Sequence, residues 1–108
     1  MERLSFVKNW NGKLFDEVIY FTTIRLYNLS KYYVGNTFEV YLKEDQIGHA
    51  KVVNVRTLML HEVNDFISGI DAGFSVDEFK ALMKKFYPKA DWTTQKLQFI
   101  LLKKYEHP

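Results

Sequence analysis

The chain has 108 residues, is 47% apolar and 17% aromatic, and carries a formal net charge of +2. That length makes one domain, spanning 1–108, with ample material for a core. It contains no cysteine, which excludes disulfides, thiolate metal sites and cysteine nucleophiles, and a charge of +2 is too small to name a polyanionic partner.

The first ten residues, MERLSFVKNW, are charged early and lack the apolar centre of a signal peptide. No apolar run approaches the roughly 20 residues of a membrane span. The expectation is a soluble cytoplasmic protein without a membrane partner. An early strand and a short turn or helix near NGKLFDE open the chain. VIYFTTIRL (18–26) is rich in β-branched and aromatic residues and reads as a strand. LYNLSKYYVGN (26–36) has weak periodicity and reads as a loop closed by Gly35-Asn36. TFEVYLK (37–43) alternates strictly, with Phe38, Val40 and Leu42 on one side, as a half-buried strand does. EDQIG (44–48) then makes a hairpin connection. HAKVVNVRTLML (49–60) is a long strand whose alternation slips at Val52-Val53, which predicts a bulge there.

The period then changes. HEVNDFISGI (61–70) places Val63, Phe66, Ile67 and Ile70 at helical spacing, an apolar stripe. Gly73 punctuates. Ser75 and Glu78 form a capping box, in which each side chain reaches the other's backbone amide. Val76, Phe79, Leu82, Met83 and Phe86 continue as an apolar face, with Lys80, Lys84 and Lys85 opposite, until Pro88 stops the helix. KLQFILLKK (96–104) closes the chain as a strand with apolar residues on both faces. Strands with short connections, followed by two helices and a last strand, predict an α+β fold: a small mixed β-barrel of five to six strands with flanking helices.

The residue pattern resembles the ASCH domain, a branch of the PUA-like fold. TTIR (22–25) is similar to that family's Thr-Ile-Arg strand, and YVGNTFEV (33–40) to its strand entry, with Asn36 where Asp is commoner. DAGFSVDEFKALMKKFYP (71–88) resembles its acidic residue, serine cap and helix, and LQFILLKK (97–104) its closing strand. The resemblance covers roughly residues 5–104. It implies a PUA-like barrel with a cleft between barrel and the helix after Gly73, associated with RNA or modified nucleosides. It is also similar to small bacterial acetylcytidine amidohydrolases, which use Lys, Thr and Glu. The match puts Thr23 on the threonine, Tyr20 on the lysine and Ala72, beside Asp71, on the glutamate. Tyrosine, with an ordinary pKa of about 10, is a poor base near neutrality.

Two readings of the chemistry stay open. In one, a binding module holds RNA or a modified nucleotide through Lys13, Thr22, Thr23, Arg25 and Asp71. Tyr33 or another loop aromatic would stack on a base, and Lys84 and Lys85 would attract phosphate. In the other, the same cleft hydrolyses a nucleoside or RNA, with Thr23, Asp71 and the position of Tyr20 as the catalytic set. Each residue also has a structural use: Arg25 pairing with an acid on a neighbouring strand, Asp71 forming a turn in GIDAG, the aromatics filling the core. Residues 75–108 hold seven lysines against four acids, either a basic face or ordinary solvation. His49, His61 and His107 have no metal-ligand spacing, so no metal is expected. No cofactor is implied, and no motif speaks to oligomeric state.

Overall fold

The computed structural model describes residues 1–107. The fold is mixed α+β. Strand β1 (Glu2–Phe6) is followed by a 3-10 turn (Trp10–Gly12), then β2 (Tyr20–Leu26), β3 (Thr37–Leu42) and β4 (Asp45–Met59). A second 3-10 turn (Leu60–Glu62) leads to helices α1 (Asp65–Ala72) and α2 (Val76–Phe86), and β5 (Lys96–Tyr105) is last. The five strands make one sheet in the order β1-β3-β4-β5-β2. Only β1–β3 is parallel; the other pairings are antiparallel. The sheet curls into a half-barrel, and β1 and β2 are its two edges. No helix among the described residues is long and apolar enough to cross a membrane.

The sheet serves two cores, and the bulge in β4 is what allows it. Val52 pairs with Leu102 and Asn54 with Leu101, so Val53 is the extra residue. Before the bulge Ala50 and Val52 face the inside of the curl, with Leu4, Phe6, Phe21, Phe38, Val40, Ile100 and Leu102. An inserted residue inverts the alternation. Beyond it Val55 faces inward and Leu58 outward. Leu58, Ile24 and Leu97 form the second core, beneath Phe79 and Met83 of α2. On β5 this split explains the two apolar faces: Ile100 and Leu102 point into the curl, Leu97 and Phe99 toward the helices.

Two sequence expectations are corrected. The β3–β4 connection is shorter than EDQIG. Leu42 pairs with Asp45, so the turn is Lys43-Glu44 alone, made possible by a left-handed Lys43 (φ 56°). The stripe over 61–70 faces the core only in part: Val63 and Ile67 pack into the core under the helices. Val63 is buried but precedes the helix, whereas Phe66 and Ile70 are 73% and 46% exposed. The buried residues of α1 are Ser68, Asp71 and Ala72. Polar contacts join Ile67 and Ala72 in setting this helix's rotation: Ser68 Oγ donates to the Phe74 carbonyl (2.9 Å), and Asp71 meets Lys13. By contrast the Ser75–Glu78 capping box and the stop before Pro88 form as expected.

Main-chain bonds anchor the two ends of the loop 27–36, to Lys96 and to Val52, and one buried amide ties down its middle. Gln98, 1% exposed, accepts from the Asn28 amide (2.7 Å) and donates to the Tyr32 carbonyl (3.1 Å). Leucine would leave both backbone groups without a partner, at about 1–3 kcal/mol each. Gln98→Leu is therefore expected to lower unfolding free energy in urea by about 2–6 kcal/mol; a loss below about 1 kcal/mol would show that water replaces the amide.

Candidate functional site

A cavity of about 220 Å³ lies along the seam between the two edge strands, roofed by the helices. Its polar residues are Ser5, Lys13, Thr23, Arg25 and Asp71; its apolar wall includes Trp10, Phe79, Leu82, Met83 and Phe86. Four residues singled out from the sequence, distant along the chain, thus share one hollow.

Arg25 spans the seam. Its Nε donates to Thr23 Oγ1 (2.9 Å) and its NH2 group to the Ser5 carbonyl on β1 (2.8 Å). The guanidinium also lies 4.7 Å above the centre of the Phe6 ring. Arginine has five N–H donors, so three remain uncommitted. The expected alternative, pairing with an acid on a neighbouring strand, does not occur: among the described residues the ion pair is Lys13–Asp71.

That pair is buried, with side chains 6% and 9% exposed at 3.0 Å. Lys13 Nζ also donates to the Thr22 carbonyl (2.6 Å), and Thr22 Oγ1 donates to Asp71 Oδ1 (3.0 Å). Asp71 lies in the last turn of α1, not in a turn ahead of a helix. Lys13 reaches it because the segment before it is docked on the same helix end: Asn11 Nδ2 donates to the Gly69 and Ile70 carbonyls (3.2 and 3.1 Å). Asn11 does so from a left-handed backbone (φ 55°), which asparagine tolerates. Both hydrogen bonds to Asp71 fall on Oδ1. Since no buried side-chain oxygen among the described residues lacks a partner, Oδ2 keeps access to the cavity or solvent. Burial pushes the Lys13 ammonium below its usual pKa, opposed by the Asp71 charge. The folded state then releases this proton more readily than the unfolded chain, so the Lys13 contribution to stability increases as pH rises toward 10.5. Burial pushes the Tyr87 phenol above 10, so this wall residue stays neutral.

Other candidates lie elsewhere. Tyr20 is half exposed at the start of β2, with Lys103 over its ring (5.7 Å), and does not line the cavity. Thr22 points to the helix face and touches the site through Asp71. Tyr33 lies in a separate open groove with Met1 and Glu2. Tyr32 is buried against Phe38 (6.0 Å), so the loop tyrosines do not gather at the cavity. Lys84 and Lys85 are exposed in the last turn of α2, outside the hollow. His49 and His107, far apart in sequence, do meet, with ring centroids 4.5 Å apart. The residue that sequence reasoning undervalued is Trp10, whose ring packs edge-on to Phe74 and Phe86 (5.5 and 6.4 Å) and forms an aromatic wall. Only its place in the strand–turn segment beside Lys13 could have pointed to it.

Chemically the site offers one uncompensated cation, a threonine hydroxyl and flat apolar walls. Thr23 Oγ1 has no base within hydrogen-bond distance; its bond is to a guanidinium donor. A hydroxyl nucleophile needs an adjacent base, and among the described residues the partner of Thr23 Oγ1 is the Arg25 guanidinium. Comparison with protein-family models, with curated proteins and with solved structures finds no match.

Removing one member of a buried ion pair strands the other charge and costs about 3–5 kcal/mol, whereas replacing both with apolar groups is near neutral. Lys13→Met and Asp71→Leu are each expected to destabilise by that amount in urea unfolding. The double variant should regain most of the loss. Additive losses would mean the two side chains act independently.

Proposed function

We propose that this chain is a PUA-like domain of the ASCH type that binds RNA or a modified nucleotide by seating one base in the seam cavity. The observation that carries this reading is the convergence of Thr23, Arg25, Asp71 and Lys13 on one hollow walled by aromatic rings. A volume of about 220 Å³ falls below the roughly 300–1,000 Å³ of drug-sized sites, which suits a single ring system. Trp10 and Phe86 supply flat surfaces; stacking of this kind contributes about 1–3 kcal/mol per base. The free donors of Arg25 suit a carbonyl, a ring nitrogen or a phosphate oxygen. Lys84 and Lys85, at the end of α2 next to the wall residue Phe86, suit the backbone of a longer strand.

Arg25→Lys keeps the charge and loses the fork. It is expected to weaken nucleoside binding about tenfold, or about 1.4 kcal/mol, by calorimetry or NMR titration. For single-stranded RNA, each phosphate neutralised contributes about −0.7 to the slope of log affinity against log salt. Lys84→Ala with Lys85→Ala should flatten that slope by about 1.4. Undetectable binding of every RNA tested at low salt would refute the proposal.

A hydrolytic reading of the same cavity rests on Lys13. It is a buried ammonium, with its pKa lowered, against a carboxylate, and it comes from a different segment than the position of Tyr20. Its substrate would be an acylated nucleoside. The binding reading expects acetylcytidine to survive incubation with the protein. Acetate release that disappears in Lys13→Met would replace it with the hydrolytic one.

A further inference from the structure

Three consecutive residues of β2, namely Thr23, Ile24 and Arg25, line the cavity. Side chains alternate across a strand, so three in a row can share a hollow only if it runs along the strand's edge. The Ile24 side chain belongs to the core under the helices, and Thr23 and Arg25 point to the other face. What the strand presents edge-on is main chain.

The hydrogen-bonding register identifies which groups those are. Just beyond the ends of β2, the Lys104 amide donates to the Ile19 carbonyl (2.8 Å) and the Tyr27 amide to the Lys96 carbonyl (3.1 Å). In an antiparallel pair, hydrogen-bonded and non-bonded positions alternate. Residues 19, 21, 23, 25 and 27 therefore bond to β5, and 20, 22, 24 and 26 turn their N–H and C=O away from it. An independent contact agrees: the Thr22 carbonyl is free of the sheet and accepts from Lys13 Nζ. On that outward side β2 has no strand partner among the described residues. Ile24, 6% exposed, thus holds an amide and a carbonyl without a partner among the described residues, at the cavity. Buried main-chain groups are rarely left unpaired.

We infer that the Ile24 N–H and C=O are the reading head of the site, and that they recognise a planar heterocycle carrying a hydrogen-bond donor next to an acceptor. This rests on the base-binding reading above and names the edge by which the base is held. Neighbouring donor and acceptor on one ring, a lactam N–H beside its C=O or an exocyclic amine beside a ring nitrogen, pair in plane with both main-chain groups. The ring faces then lie against the aromatic walls, and Arg25 reaches a further acceptor. An extended peptide, the other common guest of a free strand edge, does not fit. It needs successive outward residues within the hollow, and of 22, 24 and 26 it is Ile24 that lines the cavity, while Lys13 occupies the Thr22 carbonyl. Across the seam, the Ser5 carbonyl is taken by Arg25. Within the cavity the exposed edge of β2 is thus one outward residue wide, which is the width of a ring.

The test is amide NMR and hydrogen exchange on the whole chain with four ribonucleosides as probes, and a methyluridine blocked at its ring N–H. Without ligand, the Ile24 amide should exchange about 100-fold faster than those of Thr23 and Arg25, which bond to β5. A bound nucleoside should shift the Ile24 amide downfield and slow its exchange about tenfold or more. The blocked methyluridine should bind about 100-fold more weakly than uridine, because it leaves the main-chain acceptor unpaired. Ile24→Pro removes the donor without breaking a bond to β5, and should lose nucleoside binding while the other amides of β2 keep their protection. Shifts at Trp10 and Arg25 with none at Ile24, or equal binding of the blocked analogue, would overturn this inference and leave base binding standing. No shift at any cavity residue with any nucleoside would overturn both.

Discussion

A sheet that curls without closing leaves two strand edges facing each other with polar main-chain groups and no ladder between them. In this protein that gap, between β1 and β2, governs the rest. A closed barrel would satisfy every edge and leave no hollow there. Here Arg25 spans the seam, donating from β2 to the Ser5 carbonyl on β1. A side-chain bridge holds the edges at a distance, where main-chain pairing would draw them to about 5 Å. The aromatic wall and the roof of α2 exist in relation to that space.

The neighbouring Lys13–Asp71 pair fixes the height of the roof. Buried ion pairs add little net stability, so this one is better understood as a register device. It ties α1 to the strand–turn segment through one carboxylate oxygen, with Thr22 on the same atom. The two charges also offset one another within the cavity lining. Arg25 is then the cation that a guest meets, and the polarity of the site follows from which of its basic residues is already engaged.

Local signals in the sequence were reliable at several places where a short-range rule decided the outcome, though not at the hairpin turn, which is Lys43-Glu44 and not EDQIG. The strict alternation of β3, the slip at Val52-Val53, the Ser75–Glu78 box and the stop before Pro88 each rest on steric or hydrogen-bonding needs within a few residues. The polar residues of β2 were recognisable as an odd set for a strand, and Lys13 and Asp71 join them as one site. The rotation of α1 was not legible. Its apolar residues suggest a buried stripe, but the ion pair and the Ser68 hydrogen bond turn Ser68 and Asp71 inward and Phe66 outward. Tyr20 illustrates the same limit: matching positions along a strand does not reveal that its first residue projects past the cavity. The role of Ile24 was invisible to any reading of side chains, because the groups concerned belong to the main chain and their direction depends on pairing with a strand more than 70 residues away.

The claim that matters most is spatial: the seam between β1 and β2 receives a flat heterocycle. Crystals soaked with bromouridine would locate the halogen by its anomalous scattering. The account predicts one bromine position inside the seam, with the pyrimidine edge against Ile24 and its face toward Trp10. Bromine bound elsewhere, or an empty seam drawn shut by direct β1–β2 hydrogen bonds, would contradict it.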